Sequence, residues 1–174
     1  MRTRLWAAAA IFAALAADQA VKGLLLSGTV DLNGTILIPG VVNIDFAWNR
    51  GVSFSLLWPN SGLGSLLLSV GAACIVAALL VWAFRAHRAR VAMAIGLMIG
   101  GALGNLVDRY LYGAVFDFLV MRVGGMTLFV CNLADIAITL GTFVLLIDSL
   151  LTRSAGPRWS DREPIEIRND VGKN

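Results

Sequence analysis

Residues 62–84 contain no Asp, Glu, Lys or Arg, a run of 23 positions that are almost all apolar. At 1.5 Å per residue such a run makes about 35 Å of helix, enough to cross a ~30 Å hydrocarbon core with some tilt. A segment of this kind fixes the solvent of the chain as lipid. Composition agrees. Only 14% of the 174 residues are charged and mean hydropathy is +0.78, whereas a soluble domain carries about 25% charged residues. One small domain with so little charge could not cover a water-facing surface. Disorder, a coiled coil, a disulfide scaffold and an ordinary cytosolic enzyme are thereby excluded.

Three further runs follow the same logic. Residues 91–107 add 17 uncharged positions, and the apolar character continues through Leu111. Residues 127–151 are interrupted by Asp135 and closed by Asp148, and residues 5–26 contain Asp18 and Lys22. The expectation is an all-α integral membrane protein with four transmembrane helices, at about 5–26, 62–84, 91–111 and 127–151. One membrane-embedded domain then covers residues 1–152. The polar tail, 153–174, is broken at Pro157 and Pro164 and reads as disordered. Arg2, Arg4 and the run ending in Ala14-Leu15-Ala16 also imitate a secretory signal. Because apolar residues resume after Lys22 as Gly23-Leu24-Leu25-Leu26, the first span reads as a retained helix.

Ten of the 14 basic residues fall on one side of these spans: Arg2, Arg4, Arg85, Arg88, Arg90 and the five after residue 152. The positive-inside bias makes that side, with both termini, cytoplasmic. The net charge of +3 is then topological, and no nucleic-acid partner is implied. Residues 27–61 and 110–126 face outward. In the first, Thr35-Ile36-Leu37-Ile38 and Val41 to Phe46, split by Pro39-Gly40, read as two short strands. Trp58-Pro59 marks the return to the bilayer.

An ionisable side chain at mid-membrane costs about 2.5–3.5 kcal/mol on insertion scales. Asp18, Lys22, Asp108, Arg109, Asp117 and Asp135 nevertheless lie in or beside the spans, converging on the outer leaflet. Asp135 sits about 12 Å into its expected span. Asn105-Leu106-Val107-Asp108 is echoed by Asn132-Leu133-Ala134-Asp135, and residues at i and i+3 share a helix face. Interhelical hydrogen bonding and a functional role are equally good readings of the two asparagines; three carboxylates at one level repel unless a proton is shared. Gly96, Gly100 and Gly104 form overlapping G-x-x-x-G units that let helices approach closely.

The inventory of reactive groups is short. One His (His87), two Cys (Cys74 and Cys131), no H-E-x-x-H and no phosphate-binding loop leave no expected metal site or cofactor. Ser53 or Ser55 with Lys22 as base is conceivable, but no spacing fixes their geometry. Aspartate is in excess. Two carboxylates held together share a proton, one acting as base and the other as acid, and so activate a water without a metal. Peptide hydrolysis by such a dyad suits these residues best. A proton relay would need ionisable groups in the cytoplasmic half, where only Asp148 stands. A non-catalytic scaffold is the third possibility.

Five motifs occur in order: Asp18-Gln19-Ala20-Val21-Lys22, Asn49-Arg50-Gly51-Val52-Ser53-Phe54-Ser55, Gly100 to Arg109, Val115-Phe116-Asp117-Phe118 and Asn132-Leu133-Ala134-Asp135. The set resembles the bacterial lipoprotein signal peptidases (signal peptidase II). The resemblance implies a four-helix inner-membrane aspartyl protease, working as a monomer, with a small extracytoplasmic β-cradle and an active site near the outer face. Its substrates would be prolipoproteins carrying a diacylglyceryl-modified Cys, cut just before that Cys, with the lipid among the helices. Where the echo suggests pairing Asp108 with Asp135, the resemblance implies that Asp117 and Asp135 are the dyad. Asn105, Asp108, Arg109 and Asn132 would orient dyad or substrate, Asp18 and Lys22 would be structural or place the peptide, and Asn49 and Gly51 would belong to a segment closing over the substrate. Cys131 and Phe116 stand where the family more often has Phe and Val.

Overall fold

The computed structural model describes residues 2–51 and 63–153. Each long apolar run is a helix: α1 (Arg2–Leu26), α2 (Leu63–Arg85), α3 (Ala89–Tyr112) and α4 (Leu133–Arg153). All four are long and apolar enough to cross a membrane. α3 is the central one, with 56% of its most apolar window buried, against 17% for α2 and 11% for α4. Its sequence explains this. Water does not drive helices together inside lipid, so close approach of small residues must. A Cβ on Gly96 or Gly100 would stand 2.5 Å from the carbonyl oxygens of Ala7 and Ile11, and one on Gly104 would stand 2.6 Å from Asp18. The glycine stripe is therefore the surface on which α1 lies. Gly101, one position round, opens a second face where a Cβ would meet the Ala134 carbonyl of α4.

α3 ends at Gly113, whose left-handed backbone (φ 70°) and N–H to the Arg109 carbonyl close the last turn. The chain there enters a four-stranded antiparallel sheet of order β1-β2-β3-β4. Its strands are β1 (Thr35–Ile38), β2 (Val42–Asn49), β3 (Val115–Val123) and β4 (Met126–Cys131). Gly124 and Gly125 both have positive φ, 59° and 82°, as a two-residue hairpin turn demands.

Two expectations are corrected here. Two strands were expected and four are found, because the sheet draws on residues 115–131 as well as 35–49. The fourth helix begins at Leu133, not at 127, because residues 127–131 are β4. An apolar run of this kind is equally consistent with a buried strand and a helix end. Asp135 accordingly lies in the first turn of α4 rather than deep in a span. The remaining helices run up to three residues past the expected limits, apart from α1, which ends where expected, and α2, which starts one later. Ser53, Ser55, Trp58, Pro59 and the tail from 154 onward lie outside the described residues.

One face of the sheet packs Ile44, Phe116 and Phe118 against Leu25 at the end of α1. Phe46 meets Phe116 edge-on with ring centroids 5.3 Å apart. Because side chains alternate along a strand, anchoring Phe116 and Phe118 on that face turns Asp117 to the other.

Candidate active site

Asp117 lies on β3 and is 2% exposed. Its cross-strand partner is Ala47, with Asn49 two residues further along β2 on the same face. Asn49 Nδ2 donates to Asp117 Oδ2 at 3.1 Å. The other end of that amide is held as well: the Gly51 N–H donates to Asn49 Oδ1 at 2.9 Å. Gly51 reaches this position with φ 82°, a backbone that favours glycine.

Asn132 is the hinge of the site. It precedes α4 and caps it. The Asp135 N–H donates to Asn132 Oδ1 at 3.0 Å, while the Asn132 N–H donates to Asp135 Oδ2 at 3.2 Å. This reciprocal pair is a capping box with Asp in the third helical position. With its oxygen so engaged, Asn132 turns Nδ2 to Asp117 Oδ1 at 2.7 Å and Asn105 Oδ1 at 3.0 Å. Asn105 Nδ2 in turn donates to Asp135 Oδ1 at 2.8 Å. Asp117 and Asp135 thus share one fully buried asparagine, and a second one braces Asp135 from α3. The echo of Asn105-Leu106-Val107-Asp108 in Asn132-Leu133-Ala134-Asp135 is one of letters more than of structure, since Asn132 is a cap and Asn105 lies mid-helix.

The echo's suggested partner for Asp135 is committed elsewhere. Asp108 lies 2.7 Å from Lys22 Nζ, and Asp18 lies 2.8 Å from it. Lys22 Nζ also reaches Asn105 Oδ1 at 3.4 Å, which links this buried ion cluster to the site. Gln19, which sequence reasoning passed over, donates to Asp18, Asp108 and the Gly104 carbonyl at 3.1–3.2 Å. Arg109 contacts the Asn105 carbonyl at 3.4 Å and lines a separate hollow of 660 Å³ with Ser65 and Ser69 between α2 and α3. The residues singled out from sequence therefore sort into Asp117, Asp135, Asn49, Gly51, Asn105 and Asn132 at one centre, Asp18, Lys22 and Asp108 in an adjoining cluster, and Arg109 on the flank.

Burial pushes the Asp117 carboxyl up to about 6; Asn49's hydrogen bond opposes this, the Asp135 charge adds to it, and Asn132 and Lys22 oppose it in smaller measure. Two neighbouring carboxylates, one of them holding its proton up to about pH 6, can act as base and acid. Burial, Asp135 and Asp117 all push the Cys131 thiol upward, which leaves it protonated and unreactive. Among the described residues no three His, Cys, Asp or Glu side chains converge as a metal site would require. Asp135 also lines an otherwise apolar groove of 780 Å³ between the sheet and α4, walled by Met121, Phe129, Ile136, Leu140 and Phe143. The groove thus offers a mostly apolar surface with a single carboxylate at its wall.

Comparison with known proteins adds an independent line. Residues 10–151 match the family model for signal peptidase (SPase) II. The lipoprotein signal peptidase of Methylorubrum extorquens (strain PA1) is 44% identical over 150 residues, covering 85% of this chain and 87% of that protein. That of Methylobacterium sp. (strain 4-46) is 39% identical over 158 residues, covering 90% and 95%. A solved bacterial membrane enzyme, determined by the in meso method at 1.9 Å resolution, superposes with a TM-score of 0.70 at 26% identity, covering 83% of this chain and 92% of that one.

Proposed function

The chain belongs to the signal peptidase II family, a family of membrane proteases that remove signal peptides from lipoproteins, and from that premise we propose that Asp117 and Asp135 are its catalytic pair. The observation that carries the proposal is the double use of Asn132, hydrogen-bonded to both carboxylates at 2.7 and 3.2 Å. It supports a dyad held at short separation by a side chain that is itself locked by a helix cap.

In this reading one proton resides on the pair. The ionised carboxylate takes a proton from a water, whose oxygen attacks the carbonyl carbon of the scissile peptide. The protonated carboxylate meanwhile gives its proton to the carbonyl oxygen. As the tetrahedral intermediate collapses and its C–N bond breaks, one carboxyl protonates the departing amine while the other carboxylate takes back a proton from a hydroxyl of the intermediate, and the dyad returns to one proton. Asn49, Asn105 and Asn132 orient the carboxylates, Arg109 supplies positive charge at the flank, and Asp18, Lys22 and Asp108 act from behind. The substrate is a prolipoprotein bearing a diacylglyceryl-modified Cys, cut just before that Cys. Its lipid occupies the apolar groove beside Asp135, and the signal helix lies in the membrane. With both termini cytoplasmic, as the basic residues indicate, the site faces outward.

The test is to incubate the purified protein with a diacylglyceryl-modified precursor in H₂¹⁸O and analyse the products by mass spectrometry. A single cut before the lipidated Cys, with one ¹⁸O in the new carboxylate and no cut of the unlipidated precursor, is expected. Cleavage elsewhere, or equal cleavage without the lipid, would overturn the assignment.

A further inference from the structure

We infer that Asp18, Gln19, Lys22 and Asp108 form a positioning clamp that sets the separation of the two dyad carboxylates through the backbone, an inference that rests on the dyad reading above. The Phe116 N–H donates to Asp108 Oδ2 at 3.1 Å, and the Ala134 N–H donates to Asp18 Oδ1 at 2.9 Å. Each anchored residue comes immediately before a dyad aspartate. The two anchors are then tied to each other. Lys22 Nζ stands 2.8 Å from Asp18 and 2.7 Å from Asp108, and Gln19 Nε2 donates to the same two carboxylates at 3.2 and 3.1 Å. An unbroken polar path thus runs from β3 through α3 and α1 to the first turn of α4.

The chain between the aspartates cannot do this alone. It runs out and back through the β3–β4 hairpin, whose ladder ends at the Leu119–Cys131 pair; Asp117 and Asp135 both lie beyond that pair, where the clamp adds a connection through the backbone of the residues just before them. Stability by itself is a poor reason for the cluster. Asp18, Lys22 and Asp108 are at most 2% exposed, and three buried charges are often no better than well-packed apolar residues in their place. Apolar residues cannot accept two backbone N–H groups at a fixed spacing. Carboxylates with a shared cation between them do.

Asp108→Asn and Asp18→Asn keep an oxygen for the backbone N–H but lose the ion pair; Asp108→Ala and Asp18→Ala lose both, and Lys22→Met removes the tie. Each is purified, its thermal midpoint measured, and kcat and KM for a diacylglyceryl precursor determined well below that midpoint, beside Asp117→Asn and Asp135→Asn. A misplacement of about 1 Å costs on the order of 10²-fold. The clamp predicts folded Asn variants with kcat down at least tenfold and KM within twofold, and Ala variants at least a further tenfold slower. Folded Asn variants with unchanged kcat, Ala and Asn variants equally slow, or activity that merely tracks the folded fraction would overturn it. So would failure of every variant to fold, which marks a plain structural role. If the dyad variants themselves cleave, the dyad reading falls first and this inference with it, a different pattern from dead dyad variants beside fully active clamp variants.

Discussion

Asn132 carries three tasks in one residue: its side-chain oxygen caps α4, its backbone N–H fixes the Asp135 carboxylate, and its side-chain amide donates to Asp117. Asn49 and Asn105 also donate to the carboxylates, Asn49 to Asp117 and Asn105 to Asp135, and the first of these gives the site a pH signature. The Asp117 carboxyl, raised by burial to about 6 in the free enzyme, loses its proton above that pH. A dyad that works with one shared proton is then over-ionised. We expect kcat/KM, which reports the free enzyme, to fall as pH rises through about 6. Asn49 stabilises the ionised form of Asp117 by its hydrogen bond, so Asn49→Ala moves that alkaline limb to higher pH. A limb that stays in place or shifts downward in the variant would show that Asp117 does not control it. At this scale much was readable beforehand. Asp117, Asp135 and their asparagines stand out because polar residues inside apolar runs need a reason. Asn132 as a cap was also in plain view, since Asn-x-x-Asp directly before an apolar run is a helix-start signal. Gln19 was not, because an uncharged amide beside Asp18 attracts no notice until its three partners are seen.

Among the elements, α3 organises the bundle by its two small-residue faces, and the stripe that admits α1 continues to the site. Gly104 is where packing and chemistry meet, because Asp18 approaches it too closely to leave room for a Cβ. Overpacking of this kind costs roughly 1–3 kcal/mol. Gly100→Val and Gly104→Val are expected to lower the thermal midpoint and the activity together, while Gly71→Ala, with open space around it, leaves both within error. Equal tolerance at all three positions would contradict the packing. Helices of this length announce themselves by hydropathy. The strands β1 and β2 were also legible, but β4 was not: Thr127-Leu128-Phe129-Val130-Cys131 is apolar like the start of α4, and only its pairing with β3 makes it a strand. Gly124-Gly125 was the available signal, a two-glycine turn between β-branched and apolar stretches.

For the whole molecule the scarce charges divide by purpose. Most of the basic residues gather on one side of the spans, and the buried acids and Lys22 gather toward the other. The proposed orientation is open to direct labelling. In a background with Cys74 and Cys131 replaced by Ala, a Cys at position 110, exposed at the outer end of α3, should react with an impermeant maleimide in intact cells. One at position 87, between α2 and α3, should react only after permeabilisation; the reverse pattern would invert the topology.

The central claim is that two aspartates, brought together from a strand and a helix cap, do the chemistry. Single-turnover cleavage of a diacylglyceryl precursor by purified, folded Asp117→Asn and Asp135→Asn tests it most directly. Acid–base groups of this kind contribute about 10²–10⁴-fold each, and because the pair acts as a unit each variant is expected to lose at least about 10³-fold in rate while still binding the precursor. Cleavage by either variant within tenfold of the parent rate would contradict the account.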